Sequence, residues 1–263
     1  MQRNRQSLNP VIIVLAGMTA LFFIFPLTGL LIRTPWSSMA GTITGRSAVD
    51  ALRLSAIASL ATTALALAFG FPLAWLLARG RFPGKALLRG LCTLPMVLPP
   101  VVGGIALLLA YGRRGLIGEP LNSAFGISLP FTLPGVIVAE AFVAMPFFVL
   151  TLESGLRSMN TRLEDAARSL GASRWTSFRR VTLPLIGPSL AAGAVLTWSR
   201  ALGEFGATIT FAGNLPGVTQ TTPLAIYLAQ STNRLDVSIA LSLVLVAVSL
   251  AVMIGTGQNR ASS

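Results

Sequence analysis

Residues Glu164 to Pro184 read EDAARSLGASRWTSFRRVTLP, a polar and basic stretch set between two long apolar segments. Thr161 and Glu164 have the spacing of a capping box, which predicts a helix starting near Arg162. Leu163, Ala166, Ala167 and Leu170 recur at helical spacing and give that helix one apolar face. Gly171 stops it, because glycine enters the left-handed cap at little cost. Ser173 is placed to cap a second helix carrying Trp175, Phe178 and Val181 on one side. Arg179 and Arg180 fall in its last turn, where cations suit the helix dipole. Pro184 is expected to end it. The stretch therefore reads as a compact helix–Gly–helix knob held at a membrane surface.

Composition explains why a membrane is invoked. Of 263 residues, 53% are hydrophobic and 11% are charged, against about 25% charged in a typical soluble domain. The formal net charge is +12. In a soluble chain that excess would suggest nucleic acid; here it matches arginines clustered in cytoplasmic loops beside anionic headgroups. One cysteine, Cys92, excludes an internal disulfide, and the absence of histidine argues against a zinc or iron site. No metal and no cofactor is expected.

About 20 apolar residues cross a bilayer, and six segments meet that length. They are Val11 to Ile32, Ala51 to Ala78, Leu91 to Tyr111, Leu133 to Leu152, Leu185 to Ala212 and Val237 to Ile254. The first is longer than a signal-peptide core of about 7–15 residues, so it reads as an uncleaved span. The third is interrupted by Pro95, Pro99 and Pro100 and followed by Gly103 and Gly104. Such interruptions are tolerated where protein or water satisfies the freed backbone, so this segment reads as one that lines a pathway or bends with a gate; a plain kinked helix is the alternative. Six spans put both termini on one side. With the N-terminus inside, that side holds two basic residues in the first tail, four in 79–90, six in the knob loop and one in the last tail; the other side holds six. The positive-inside rule thus puts both termini and the knob in the cytoplasm. The expected division is 1–50 (tail, first span, external loop), 51–254 (a five-helix core with the cytoplasmic loop 153–184) and 255–263 (a polar, disordered tail).

No chemistry of its own is legible. Gly80 to Lys85 lacks the Walker A pattern, since Pro83 intrudes and Ala86 stands where Ser or Thr is required. There is no nucleophile elbow and no HExxH. Arg200 and Glu204 are four apart on one face of the fifth span, where charges need a partner. They read either as an ion pair ordering the bundle or as a pair beside the pathway. Glu140, in the fourth span, is expected to partner a basic residue on a neighbouring span. The pattern Ala167-x-x-Leu170-Gly171-x-Ser173, with Thr176 and Arg179, also matches a helix-turn-helix. Spans on both sides leave too few residues for the rest of such a domain, so docking of a cytoplasmic protein partner is the preferred reading, without nucleic acid. A membrane-tethered regulator, a membrane-embedded enzyme and an ion-driven transporter are the alternatives. No internal repeat supports the last of these.

At these residues the chain resembles the membrane subunit of a type I, binding-protein-dependent ABC importer. The cytoplasmic motif of that family is EAA, three residues, Gly, nine residues, then Ile-x-Leu-Pro. Asp165, Ala166, Ala167, Gly171, Val181, Leu183 and Pro184 fall at that spacing, with Asp165 for Glu (Glu164 precedes it) and Val181 for Ile. The resemblance runs from about Ala51 through the sixth span. Within the family, Thr93 to Gly104, Arg200 to Thr208 and Thr221 to Tyr227 look like the molybdate permease branch; sulfate/thiosulfate permeases share the Gly203-Glu204-Phe205-Gly206-Ala207 segment. The resemblance implies an all-α integral membrane fold with two copies forming a pathway. Each knob would seat on a separate ATPase subunit, and an external binding protein would deliver an oxyanion, molybdate first, tungstate or sulfate otherwise. It implies a coupling loop made of Glu164, Asp165, Ala166, Ala167, Leu170, Gly171, Val181, Leu183 and Pro184. The gate candidates are Pro99, Pro100, Gly103, Gly104, Arg200, Gly203, Glu204, Gly206 and Thr208.

Overall fold

A computed structural model describes residues 10–261, and helices connected by turns make up the whole of it, with no strand among the described residues. Helix α1 (Pro10–Ile32) is apolar all round and has no buried residue, as suits a helix solvated by lipid. A short helix α2 (Trp36–Thr44) follows. Helices α3 (Arg46–Leu65) and α4 (Phe71–Arg79) form one 34-residue span through a π turn at Ala66–Gly70. The span therefore starts at Arg46, earlier than Ala51, because the loop 33–50 is itself largely helical.

Helices α5 (Lys85–Thr93) and α6 (Pro100–Tyr111) meet at a bend of 118°. Pro95, Pro99 and Pro100 fall at this corner, where the lost N–H groups and ring clashes break the ladder outright. Among the described residues five helices are long and apolar enough to cross a membrane alone, and the count reaches six when the bent pair is taken as one span. Of the expected loop 79–90 only residues 80–84 lie outside helix. The loop 112–132 contains α7 (Gly118–Phe125).

Helix α8 (Leu133–Ser158) is the hub. Its Phe148 is fully buried, and its ring sits where a β-carbon on Gly70 would fall 2.9 Å away and one on Gly193 3.1 Å away. Two glycines on flanking spans thus make the slot for one aromatic ring. Around it pack Ala66, Ala74, Leu77, Leu152, Leu156 and Ile186. A second apolar cluster joins Leu107, Ala139, Val143, Ala207 and Phe211.

The knob comprises α9 (Arg162–Ser169) and α10 (Arg174–Ser177). Pro184 does not end the second knob helix. A π turn at Phe178–Thr182 carries α10 into α11 (Leu183–Leu202), so that Arg174–Leu202 is one 29-residue span. The widened turn lies just ahead of the proline, where an ordinary turn would clash with its ring. The fifth span instead breaks at Gly203–Phe205, before the short α12 (Gly206–Phe211). Helix α13 (Thr222–Ser231) lies within the expected loop 213–236. Helix α14 (Leu235–Ala261) continues past Gly255, so most of the expected disordered tail is helical. The N-terminal tail with Arg3 and Arg5 lies outside the described residues.

Candidate functional site

The knob is built as a cap over the end of α4. Glu164 is 5% exposed and faces inward. Its two oxygens each accept a 3.1 Å hydrogen bond from Arg79, and Thr182 donates to one of them at 2.6 Å. Arg168 reaches the same carboxylate at 4.0 Å. This corrects the capping-box expectation. Thr161 is already in helical conformation with no side-chain cap, and Asn160 Oδ1 accepts from the Arg162 amide instead. Glu164 is drawn to a guanidinium 85 residues away, which is stronger than a neutral backbone donor.

Beneath the knob, Phe178 packs edge-on to Trp75 at 5.6 Å and to Phe71 at 6.2 Å, and Trp175 stacks on Phe178 at 5.6 Å. The Arg79 guanidinium lies 5.6 Å from the Trp75 ring centre, within cation–π range. Gly171 takes φ +87°, the left-handed conformation its position required. Ser173 Oγ accepts from the Thr176 amide at 3.1 Å, the predicted cap. Anchored from within, the knob turns apolar side chains outward: Leu170 is 90% exposed and Trp175 67%, and Ala166 is exposed beside them. Asp165, Leu183 and Pro184 are also exposed, while Ala167 and Val181 are half-buried.

A second ion-pair group braces this end. Glu153, buried on α8, pairs with Arg89 of α5 and with Arg157 at 2.9 Å, and Arg157 donates to the Leu77 carbonyl at 3.3 Å. Arg79, Arg89, Glu153, Arg157 and Thr182 were not singled out from sequence. Only the Glu153–Arg157 spacing of four carried a local signal.

The two segments named as gate candidates meet. Helix α6 crosses α12 so closely that a β-carbon on Gly104 would lie 2.5 Å from Thr210 Cβ and 3.0 Å from the Ala207 carbonyl. A β-carbon on Gly206 would lie 2.6 Å from Pro100 Cβ, and one on Gly103 3.1 Å from the Phe142 ring. Pro100, Gly104 and Gly206 therefore meet at one close helix crossing, with Gly103 against Phe142 of α8 and Thr208 fully buried beside them on α12. Pro99 is exposed ahead of it, and Gly203 is exposed at the break.

Arg200 and Glu204 do pair, at 2.6 Å, but not on one helix face. Glu204 lies beyond the end of α11, is 1% exposed, and its other oxygen accepts the Ala207 amide at 2.9 Å. It thus ties the end of α11 to the start of α12. The Arg200 contact is a close ion pair without the alignment of a hydrogen bond. Among the described residues no cation pairs with Glu140; Thr62 of α3 donates to it at 3.1 Å, and Arg79 and Arg200 on the flanking spans pair with Glu164 and Glu204 instead. Among the described residues no cluster of side chains fits a metal ion.

The chain is thus a bundle of apolar spans with a basic knob at one end and a glycine-packed crossing within it. The fold matches the crystal structure of a bacterial ABC transporter involved in import of the acidic polysaccharide alginate, with TM-score 0.73, 20% identity, and coverage of 94% of this chain and 93% of that one. An amino acid ABC transporter matches with TM-score 0.58 and 15% identity, covering 82% and 93% of the two chains. Residues 66–258 match the family described as the binding-protein-dependent transport system inner membrane component, and the chain belongs to it. It is a multi-pass membrane protein and a permease-type subunit rather than an enzyme.

Among curated relatives, the molybdenum transport system permease protein ModB of Mycobacterium tuberculosis is 47% identical, covering 90% of this chain and 89% of the relative. ModB of Escherichia coli is 49% identical over 67% of this chain and 75% of the relative. The sulfate transport system permease protein CysT of Escherichia coli is 36% identical over 91% and 88%.

Proposed function

We propose that this chain is the permease subunit of a molybdate importer and that two copies enclose the pathway. The reading is supported by one contrast. Molybdenum permeases share 47–49% of aligned residues with it, and a sulfate permease shares 36%. Tungstate, with the same charge and shape as molybdate, belongs to the same substrate class.

The knob is the docking surface for a separate cytoplasmic ATPase. Its exposed Leu170, Trp175 and Ala166 supply an apolar contact patch, and its buried Glu164–Arg79–Thr182 tether carries displacement into α4 and α11. A flexible loop would absorb the push; a helix fastened to two spans transmits it. The side bearing the knob, and with it both termini, faces the cytoplasm, in keeping with the gathering of Arg79, Lys85, Arg89 and Arg157 at that end. The core spans 51–254. At the other face an external binding protein releases the anion.

The gate is the α6–α12 crossing. Arg200 offers the positive charge an oxyanion needs, and Glu204 holds that charge in place while balancing it between transport cycles.

The experiment is competitive uptake of molybdate, tungstate and sulfate in cells lacking this chain and then supplied with it. Molybdate uptake restored, and inhibited by tungstate well below inhibitory sulfate concentrations, is the expected result. Restored sulfate uptake with no effect on molybdate overturns the substrate assignment in favour of the sulfate/thiosulfate reading.

A further inference from the structure

On the face away from the knob, a cavity of about 840 Å³ opens between α2, the start of α3, α13 and the start of α14. Arg46, Arg234 and Asp236 line it. None of the three takes part in an ion pair among the described residues, so the cavity carries one uncompensated positive charge. Part of its lining is apolar, including Val237, Leu228 and the buried Leu241, beside Ser37, Thr42 and Gln220; that apolar part is taken as the floor.

The depth of this cavity follows from helix length. The span from Arg46 to Arg79 has 34 residues, which at about 1.5 Å per residue is roughly 50 Å. The hydrocarbon layer is about 30 Å thick and the bilayer with headgroups about 40–45 Å. Arg79 is fixed at the knob end by Glu164. The span is therefore long enough to carry Arg46 through the headgroup level of the opposite leaflet. Trp36, 61% exposed at the start of α2, is the residue type that anchors at that level.

We infer that this cavity binds the phosphodiester headgroup of an anionic phospholipid, with Arg46 and Arg234 on the phosphate and the apolar floor under the glycerol and upper acyl carbons. A guanidinium holds a phosphodiester by charge-assisted hydrogen bonds whichever leaflet supplies it. A tetrahedral oxyanion would fill a small fraction of the volume and leave the apolar floor without a partner. The site is independent of the substrate assignment above.

The test is native mass spectrometry of the full-length chain in detergent, titrated with phosphatidylglycerol, with phosphatidylcholine of the same acyl chains, and with soluble glycerol 3-phosphate. Wild type is expected to retain phosphatidylglycerol in preference to phosphatidylcholine and to bind glycerol 3-phosphate poorly. An ion pair made by an exposed arginine contributes up to about fivefold in affinity, so the R46A/R234A double variant loses up to roughly 25-fold. The R113A/R114A variant removes the same charge away from the cavity and is expected to bind as wild type does. The single variants R46Q and R234Q, up to about fivefold each, give the same reading if the double variant fails to fold. Equal retention of the two lipids, or undiminished binding in the cavity variants, overturns the inference. Glycerol 3-phosphate bound as tightly as phosphatidylglycerol overturns the assignment to lipid.

Discussion

Replacing Glu164 by Ala should loosen α9 without unfolding the bundle. Glu164 accepts two 3.1 Å hydrogen bonds from Arg79 and one of 2.6 Å from Thr182. A fully buried pair broken at one partner costs about 3–5 kcal/mol. Arg79 keeps 24% of its side chain exposed, so water recovers part of that charge. We take about 2 kcal/mol, the middle of the range for hydrogen bonds to a charged group. The loss falls on local opening of the knob, since the apolar core around Phe148 is untouched. Amide exchange across 162–170 should then quicken about 30-fold, with exchange in α8 unchanged. Glu164→Gln keeps an acceptor for Thr182 and should fall between. Hydrogen-exchange mass spectrometry of the purified chain reads this directly. Unchanged exchange in α9 would refute the tether. Equal acceleration in α8 would show that Glu164 stabilises the whole bundle rather than the knob.

Other substitutions probe the remaining parts. A β-carbon at Gly171 meets nothing within 4 Å, yet φ is +87°, so the cost is conformational, about 1–2 kcal/mol. Gly171→Val should lower uptake per ATP hydrolysed about tenfold, while Gly171→Asn, which tolerates that conformation, should stay near wild type; a larger loss with Asn would point to crowding instead. Gly104→Ala places a β-carbon 2.5 Å from Thr210 Cβ and should destabilise the crossing by about 1–3 kcal/mol. Thermal unfolding in detergent checks this against Gly255→Ala, where a β-carbon meets open space. Glu204→Ala leaves Arg200 without its 2.6 Å partner. A double-mutant cycle with Arg200→Ala should return a coupling of about 1–3 kcal/mol, and a coupling near zero would remove the pair from the account.

Features set by local chemistry were legible in the sequence. The bounds of α1 follow from an uninterrupted apolar run, and the α9–Gly171–Ser173 pattern follows from periodicity, a left-handed glycine and a hydroxyl cap. What escaped depends on partners distant along the chain. Glu164 looked like a capping-box residue because its partner, Arg79, lies at the end of another span. Pro184 looked like a stop because the π turn at Phe178–Thr182 that accommodates it, with Phe178 packed on Phe71 and Trp75 of α4, leaves no mark in hydropathy. The Arg200–Glu204 spacing implied one helix, and it hides a break that Glu204 itself stabilises by capping α12. Helices α2, α7 and α13 lie in stretches whose Gly, Pro, Ser and Thr read as loop. The glycines and prolines of the α6–α12 crossing were visible as gate candidates, but Thr210 and Ala207, the atoms they pack against, were not.

The central claim is that the outward face of the knob is where a separate ATPase grips this chain. A photo-crosslinking residue at Leu170, 90% exposed, with another at Val49 near the opposite face as control, tests it in intact cells. The account predicts a crosslink from position 170 to a nucleotide-hydrolysing subunit, with a yield that changes between ATP-bound and nucleotide-free states, and none from position 49. No such crosslink from 170, or one from 49 instead, would contradict it.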